Sequence, residues 1–355
     1  MTPSLASTKF WSGKSVLVTG HTGFKGFWLS LWLKRLGANV SGISLPPNTD
    51  PSLYDLCNFE GFDQNINCDI RNFETLSSHM HSINPEIMFH LASQPLVRES
   101  YKAPLDTFSS NVMGTANVLE SMRGLSRLES AVLITTDKVY RETGSQDSFD
   151  EDDALGGYDP YSASKAACEI VIDSYRKSFF YDAGIPIASA RAGNVIGGGD
   201  WSDDRLIPDA IRAWQDDKEL NIRNPMATRP WQHVLEPLNG YLILAQEIAK
   251  FPNKAQAYNF GPQSDSTASV KDVIEIAKKC FGSGKVHYTS NHNGPHEAEW
   301  LSLNIEKSER DLGFMPRWDL QETVFQSISW YVKYFAGENP LQLCNQQIDL
   351  FESSI

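Results

Sequence analysis

The chain is short of paired cysteines, of positive charge and of long apolar runs, and each shortage removes a class of protein. Cys57, Cys68, Cys168, Cys280 and Cys344 are scattered, with no two close enough for a CxxC pair, so neither a disulfide framework nor a metal site is expected. Against 44 Asp and Glu stand only 31 Lys and Arg, a formal net charge of −13. Binding along nucleic acid draws on released counterions and needs a basic stripe, so no nucleic-acid partner is expected. The most apolar early stretch, Phe27 to Leu33, runs straight into Lys34-Arg35 and is far shorter than the roughly 20 residues of a membrane span. The first fifteen residues carry no secretory apolar region. Repeats, low-complexity linkers and long runs of one charge are also missing. The expectation is a soluble, cytoplasmic protein with no membrane partner. Its 355 residues, 41% of them hydrophobic, suffice for a packed core and suggest about two domains.

What is present is a rhythm of short apolar runs and helical periods. Lys14 to Thr19 is β-rich and stops at Gly20; Gly26 to Leu36 reads as a helix closed by Gly37; Asn39 to Leu45 is a second strand ended by Pro46-Pro47. Further strands are expected at Asn65–Cys68, Ile87–Leu91, Ala131–Ile134 and Pro186–Ala190, and helices at Arg71–His81, Pro104–Arg123 and Ser162–Tyr181. Nearly continuous apolar strands alternating with helices indicate an α/β fold, a Rossmann-type doubly wound parallel sheet with helices on both faces. After about Arg191 the rhythm breaks, and only Val234–Lys250 and Val270–Phe281 stand out as helices. The expected division is a dinucleotide-binding domain over 1–190 with a returning segment at about 232–260, and a smaller C-terminal substrate-binding lobe from 191–231 and 261–355. Gly144 to Asp153, with five acids in ten residues, reads as a solvated loop.

Gly20-His21-Thr22-Gly23-Phe24-Lys25-Gly26 lies where the first strand meets the first helix. Glycines there permit a tight turn, close approach of a pyrophosphate and packing of helix on sheet, while the helix start favours the anion. A dinucleotide cofactor follows. An acid for a free ribose is expected at the end of the second strand, yet none appears before Asp50. Ser44 is placed to bond a ribose hydroxyl and Lys25 to pair with a phosphate, so NAD is expected and NADP not excluded. Asp69 suits either the adenine amino group or a helix N-cap. His21 reads as a solvated loop residue, His90 as a core histidine, and Trp28 and Trp32 as packing residues.

Tyr161-Ser162-Ala163-Ser164-Lys165 places Tyr and Lys four apart on one helix face. A phenol is a poor base at neutral pH unless a nearby ammonium stabilises its anion. Upstream lies the strand-end cluster Thr135-Thr136-Asp137-Lys138. Together with Asn194 to Trp201, Arg205-Leu206-Ile207-Pro208 and Arg229 to Val234, these motifs resemble the extended short-chain dehydrogenase/reductase family over nearly the whole chain. Within it they resemble the nucleotide-sugar 4,6-dehydratases, and Lys138, where thymidine-linked relatives carry a glutamate, points to the cytidine branch.

The resemblance implies an NAD-dependent lyase acting on CDP-D-glucose, at the entry to deoxysugars of surface polysaccharides. Tyr161 is the implied base at the sugar 4-hydroxyl, Thr136 its hydrogen-bond partner, Lys165 the ribose ligand, and Asp137 the acid for the 6-hydroxyl if burial or a neighbouring charge keeps it protonated. Lys138 is implied as base or as electrostatic stabiliser at carbon 5. Cofactor contacts fall on Gly20, Thr22, Gly23, Phe24, Lys25, Gly26, Ser44, Asp69, Ile70, Leu91, Ala92, Tyr161 and Lys165. Substrate contacts fall on Ser93, Gln94, Arg98, Asn194, Arg205, Leu206 and Arg229, with Arg229 the leading diphosphate ligand and Arg223 open. The helices through 111–122 and 166–175 are implied to pair with symmetry mates, giving a homodimer or homotetramer. A 4-epimerase needs the same Tyr, Lys and Thr, but has no water to eliminate and so no use for Asp137 beside Lys138.

Overall fold

A computed structural model describes residues 5–263, 267–289 and 300–354. Seven parallel strands form one sheet: β1 (Ser15–Thr19), β2 (Asn39–Ser44), β3 (Gln64–Asn67), β4 (Ile87–His90), β5 (Ser130–Ile134), β6 (Ile187–Ala192) and β7 (Ala257–Phe260). Their order, β7-β6-β5-β4-β1-β2-β3, changes direction between β1 and β4. Connections leave that point toward opposite edges, which opens a crevice beyond the strand ends. Strand pleating divides the core. Val16 and Val18 join Phe89 and Val132 on one face, while Leu17 joins Met88 and Leu133 on the other.

Helices cover both faces. On the first lie α1 (Phe24–Arg35) and the return segment; on the second lie α2 (Phe73–Ile83), α3 (Gly114–Met122) and α4 (Pro160–Tyr175). The helical spans read over 104–123 and 162–181 each contain a wider π turn, at Ser109–Met113 and Arg176–Phe180. Such turns add a residue to the helical repeat and re-aim side chains. The first carries Asn111, whose amide donates to the Gln94 carbonyl (3.1 Å) and the Ser164 hydroxyl (2.8 Å), tying the loop after β4 to α4.

The remainder is less regular. It contains α5 (Leu206–Gln215) and small two-stranded patches pairing 195–196 with 232–233, 219–222 with 285–288, and 228–229 with 268–269. The return helix α6 (Leu235–Lys250) packs on β5 and β6, and α7 (Val270–Phe281) packs on α8 (Leu320–Phe335). A final helix, α9 (Pro340–Ser353), reaches back to the first half, where Glu352 accepts the Trp32 indole N–H (2.7 Å) and Asn345 accepts Arg35 (2.9 Å). The sequence reading missed α5, α8 and α9. For the last two the signals were present: Asp319 accepts the Glu322 N–H (2.8 Å), and Asn339, followed by Pro340, accepts the Gln342 N–H (3.0 Å). No helix among the described residues is long and apolar enough to cross a membrane.

Candidate active site

The ends of β1, β4, β5 and β6 and the start of α5 enclose one cavity of about 780 Å3. Every residue singled out above as catalytic, cofactor-binding or substrate-binding lines it, and Arg223 lines it too. The cofactor end is bare backbone. Gly20 sits in the left-handed region (φ 77°), and a Cβ there would lie 2.7 Å from the Ala92 nitrogen. A Cβ at Gly26 would lie 2.0 Å from the Gly20 carbonyl oxygen. The turn therefore closes tightly at the start of α1, with room for a pyrophosphate against the N–H groups there. Thr22 bonds both the Ser44 hydroxyl and the Leu45 carbonyl (each 2.8 Å), which fixes this edge of the cavity without a carboxylate. These features fit a nicotinamide dinucleotide.

His21, and Asp69 in its capping reading, differ from the surroundings expected of them, and Lys25 lies in a crowd of charges. His21 is not solvated: it is buried, its Nε2 bonds Asn65 (2.8 Å), and its ring occupies the space above Gly42, whose Cβ would lie 2.4 Å from it. Asp69 does not cap the following helix, since Asn72 does so by accepting the Thr75 N–H; Asp69 is instead held by Arg71 (2.6 Å), which lowers its pKa. Lys25 lies among Arg205, Asp137, Lys165 and Asp200. Burial, with the charges of Arg205 and Lys165, brings it down to about 7 against the pull of the two acids.

At the catalytic end, Asp159 caps α4 by accepting the Ser162 N–H (2.9 Å), with Pro160 in the first turn. That start presents Tyr161 and Lys165 to the cavity. Burial pushes the Tyr161 phenol up to about 12, while its contact with the Thr136 hydroxyl and the charge of Arg205 pull the other way. Lys165 is lowered by burial, and its ammonium donates to the Ile134 carbonyl (3.3 Å). Beyond β5 the chain makes one 3-10 turn, Asp137–Val139, which buries Asp137 fully. Its Oδ1 accepts the Thr136 hydroxyl (2.9 Å) and lies 3.7 Å from the Lys138 ammonium; its Oδ2 has no partner among the described residues.

The second half of the chain supplies Asn194, Arg205, Leu206 and Arg229 to the cavity. Asn194 adopts φ 45°, and its side-chain oxygen is buried with no partner among the described residues. Arg205 faces Asp200 at 3.5 Å, and Arg229 is buried with one amino group on the Thr228 carbonyl (2.8 Å). Arg98 pairs with Asp204 (3.0 Å), and both line the cavity. Gln94 spends its amide on Leu96 and Thr107, so it organises its own loop. His90 is the expected core histidine, held by Thr19 (2.7 Å) and Thr115 (3.1 Å). Sequence reading did not single out Glu169 and Arg191, which pair at 2.9 Å beneath the site. It also missed Asp200 and Gly193. Glu169 lies one turn beyond Lys165 on α4, and that spacing was the available signal.

The family model for GDP-mannose 4,6 dehydratase matches residues 17–326. A curated CDP-glucose 4,6-dehydratase from Salmonella typhimurium is 43% identical over 354 residues, covering 97% of this chain and 98% of its own. Among solved structures, a UDP-glucuronic acid 4-epimerase from Bacillus cereus, in complex with UDP-glucuronic acid and NAD, superposes with a TM-score of 0.75 at 26% identity over 90% of this chain and 99% of that one. A dTDP-glucose 4,6-dehydratase from Bacillus anthracis in complex with NAD shares the fold, with a TM-score of 0.74 at 20% identity over 92% and 99%.

Proposed function

The chain belongs to the GDP-mannose 4,6 dehydratase family, and from that premise we propose that it converts CDP-D-glucose to CDP-4-keto-6-deoxy-D-glucose and water, with NAD as its cofactor. The observation that carries this reading is the buried Asp137 carboxyl, one oxygen unspent, within the same cavity as Thr136, Tyr161 and Lys165. A 4-epimerase needs the last three but has no hydroxyl to expel.

When bound, the nicotinamide supplies reversible hydride storage between carbon 4 and carbon 6 of the sugar. Tyr161 accepts the proton of the 4-hydroxyl, with Thr136 bonded to the same oxygen and Lys165 and Arg205 favouring the phenolate. The resulting 4-ketone acidifies carbon 5. Loss of the carbon 5 proton leaves an electron pair that forms the C5=C6 double bond as the C6–O bond breaks. The departing hydroxyl leaves as water, carrying the proton of Asp137. Lys138, 3.7 Å from the Asp137 carboxyl, stabilises the enolate charge or, as the free amine, takes the carbon 5 proton. Arg229 and Arg205 hold the diphosphate, whose oxygens match guanidinium forks. The dinucleotide falls chiefly to residues 1–190 and 232–260 and the nucleotide sugar chiefly to 191–231 and 261–355, of which 1–4, 264–266, 290–299 and 355 lie outside the described residues.

Incubation with CDP-, dTDP-, UDP- and GDP-glucose plus NAD, followed by the alkali-dependent absorbance of a 4-keto-6-deoxy sugar, tests this. Turnover of the cytidine substrate above the others is expected; no signal with any of them discards the reading. The enzyme is placed in the cytoplasm, at the entry to surface deoxysugars. The helices of 104–122 and 160–180 expose Leu105, Met113, Ile170 and Phe179, and through these helices two copies pair. Sedimentation at micromolar concentration should show at least twice the 39.7 kDa chain mass.

A further inference from the structure

Gly193 follows β6 and is buried beside the Asp137 carboxyl. Its backbone does not call for glycine, since it is absent from the residues of positive φ. What keeps a side chain out is space. A Cβ at 193 would lie 1.7 Å from Asp137 Oδ2, 1.9 Å from its Cγ and 2.3 Å from its Oδ1. All three nearest atoms belong to one carboxyl group. The other tight glycines meet something else: Gly20 and Gly26 meet backbone, Gly198 the Trp330 ring and Gly240 the Phe260 ring. Among these it is Gly193 that leaves room for an acid the proposed chemistry uses.

The consequence is a specified rotamer. With position 193 empty, the carboxyl lies with Oδ1 on the Thr136 hydroxyl and Oδ2 uncommitted. A methyl group there overlaps both oxygens, so the carboxyl must turn away and give up the Thr136 bond, the unspent oxygen, or both. A proton donor displaced by about 1 Å is enough to cost catalysis about a hundredfold.

We infer that Gly193 is a positioning residue for the elimination step, seating the Asp137 carboxyl by having no side chain of its own. This rests on the dehydratase reading above. Oxidation at carbon 4 depends on Thr136, Tyr161 and Lys165, none of which is among the atoms nearest a Cβ at 193, so the defect falls on loss of the 6-hydroxyl.

The test compares Gly193→Ala, Asp137→Ala and the double variant with the wild type. Gly193→Ala should lower kcat about a hundredfold with KM for CDP-glucose nearly unchanged. Addition of substrate should raise the near-ultraviolet absorbance of bound reduced nicotinamide, because oxidation proceeds and elimination stalls. The double variant should be no slower than Asp137→Ala alone, since the glycine acts only through the acid. It should also regain most of the thermal stability that Gly193→Ala loses, because removal of the carboxyl vacates the space. The inference is overturned if Gly193→Ala keeps wild-type kcat, if it loses activity without accumulating reduced nicotinamide, or if the two substitutions cost activity independently. Should the wild type itself fail to dehydrate any nucleotide hexose, the function reading fails. Melting curves then still decide separately whether residues 193 and 137 compete for one space.

Discussion

Two buried charged clusters border helix α4, and they spend their polar atoms in opposite ways. In one, Glu169 accepts Thr135 (2.5 Å) and Ser189 (2.8 Å) and pairs with Arg191 (2.9 Å). Arg191 in turn donates to the Tyr140 hydroxyl and the Glu151 carbonyl (each 2.9 Å), and Tyr140 donates to Asn259 (2.6 Å). In the other, Asp137 has a single hydrogen-bonded oxygen, Lys165 rests on one carbonyl, and Asn194 leaves an oxygen unused. The adjacent hydroxyls of Thr135 and Thr136 serve one cluster each. Burying a charge is costly unless the protein satisfies it. In the first cluster every polar atom named above but the Arg191 Nε is satisfied by the chain itself, and the cluster ties β5, β6 and β7 to α4. The second keeps capacity for a ligand.

That contrast predicts activity loss on one side and stability loss on the other. Tyr161→Phe should give the largest effect, lowering kcat by about a hundred- to ten-thousand-fold with the melting temperature nearly unchanged. A comparable loss of stability would mean that the open cluster is structural. Next, Glu169→Ala leaves Arg191 buried without its carboxylate and should destabilise the fold by about 3–5 kcal/mol in denaturant titration. If stability holds and only activity falls, the two clusters do not divide as described.

Smaller effects sharpen the comparison. Lys138→Gln should slow exchange of the carbon 5 hydrogen with solvent, and turnover with it, by about a hundredfold; undiminished exchange removes Lys138 from that step. The smallest concerns Glu236, a buried acid outside both clusters. One of its oxygens accepts the backbone N–H groups of Arg317 (2.9 Å) and Trp318 (2.8 Å), and the other has no partner among the described residues. Burial raises its pKa to about 7 despite those bonds and Arg317. Between its ordinary value near 4.5 and about 7, the folded chain keeps a proton that the unfolded chain has lost. Stability therefore falls as pH rises through that window and levels off above it. Glu236→Gln keeps the accepting oxygen and should flatten the slope, gaining on the order of 1–3 kcal/mol at pH 8. An unchanged slope would assign the pH dependence to other groups.

Much of the first half was legible along the chain. The seven strands recur at the expected runs, apart from β7, which the reading held only inside a returning segment. Their signals are local: apolar runs closed by glycine or proline, and a period of 3.6 between them. The second half was harder because α5, α8 and α9 bury their apolar faces against partners far away in sequence. Trp32 meets Glu352, and Trp28 donates to the Gly198 carbonyl (3.1 Å). His21 was misread for the same reason: its setting comes from Gly42 and Asn65, not from its neighbours in the turn.

The sequence by itself determined the doubly wound sheet, the glycine turn and the residue types of the proposed site, because turns, helix faces and strand ends depend on neighbours within a few positions. Tertiary structure alone decided how each charge is spent. Nothing in Thr135-Thr136 tells which hydroxyl serves Glu169 and which serves Asp137, and nothing in Gly193 tells that a carboxyl fills its missing side chain. Those outcomes depend on which strand lies beside which, and on the space left between them. They rest on packing and desolvation, which act through three-dimensional distance and not through position along the chain.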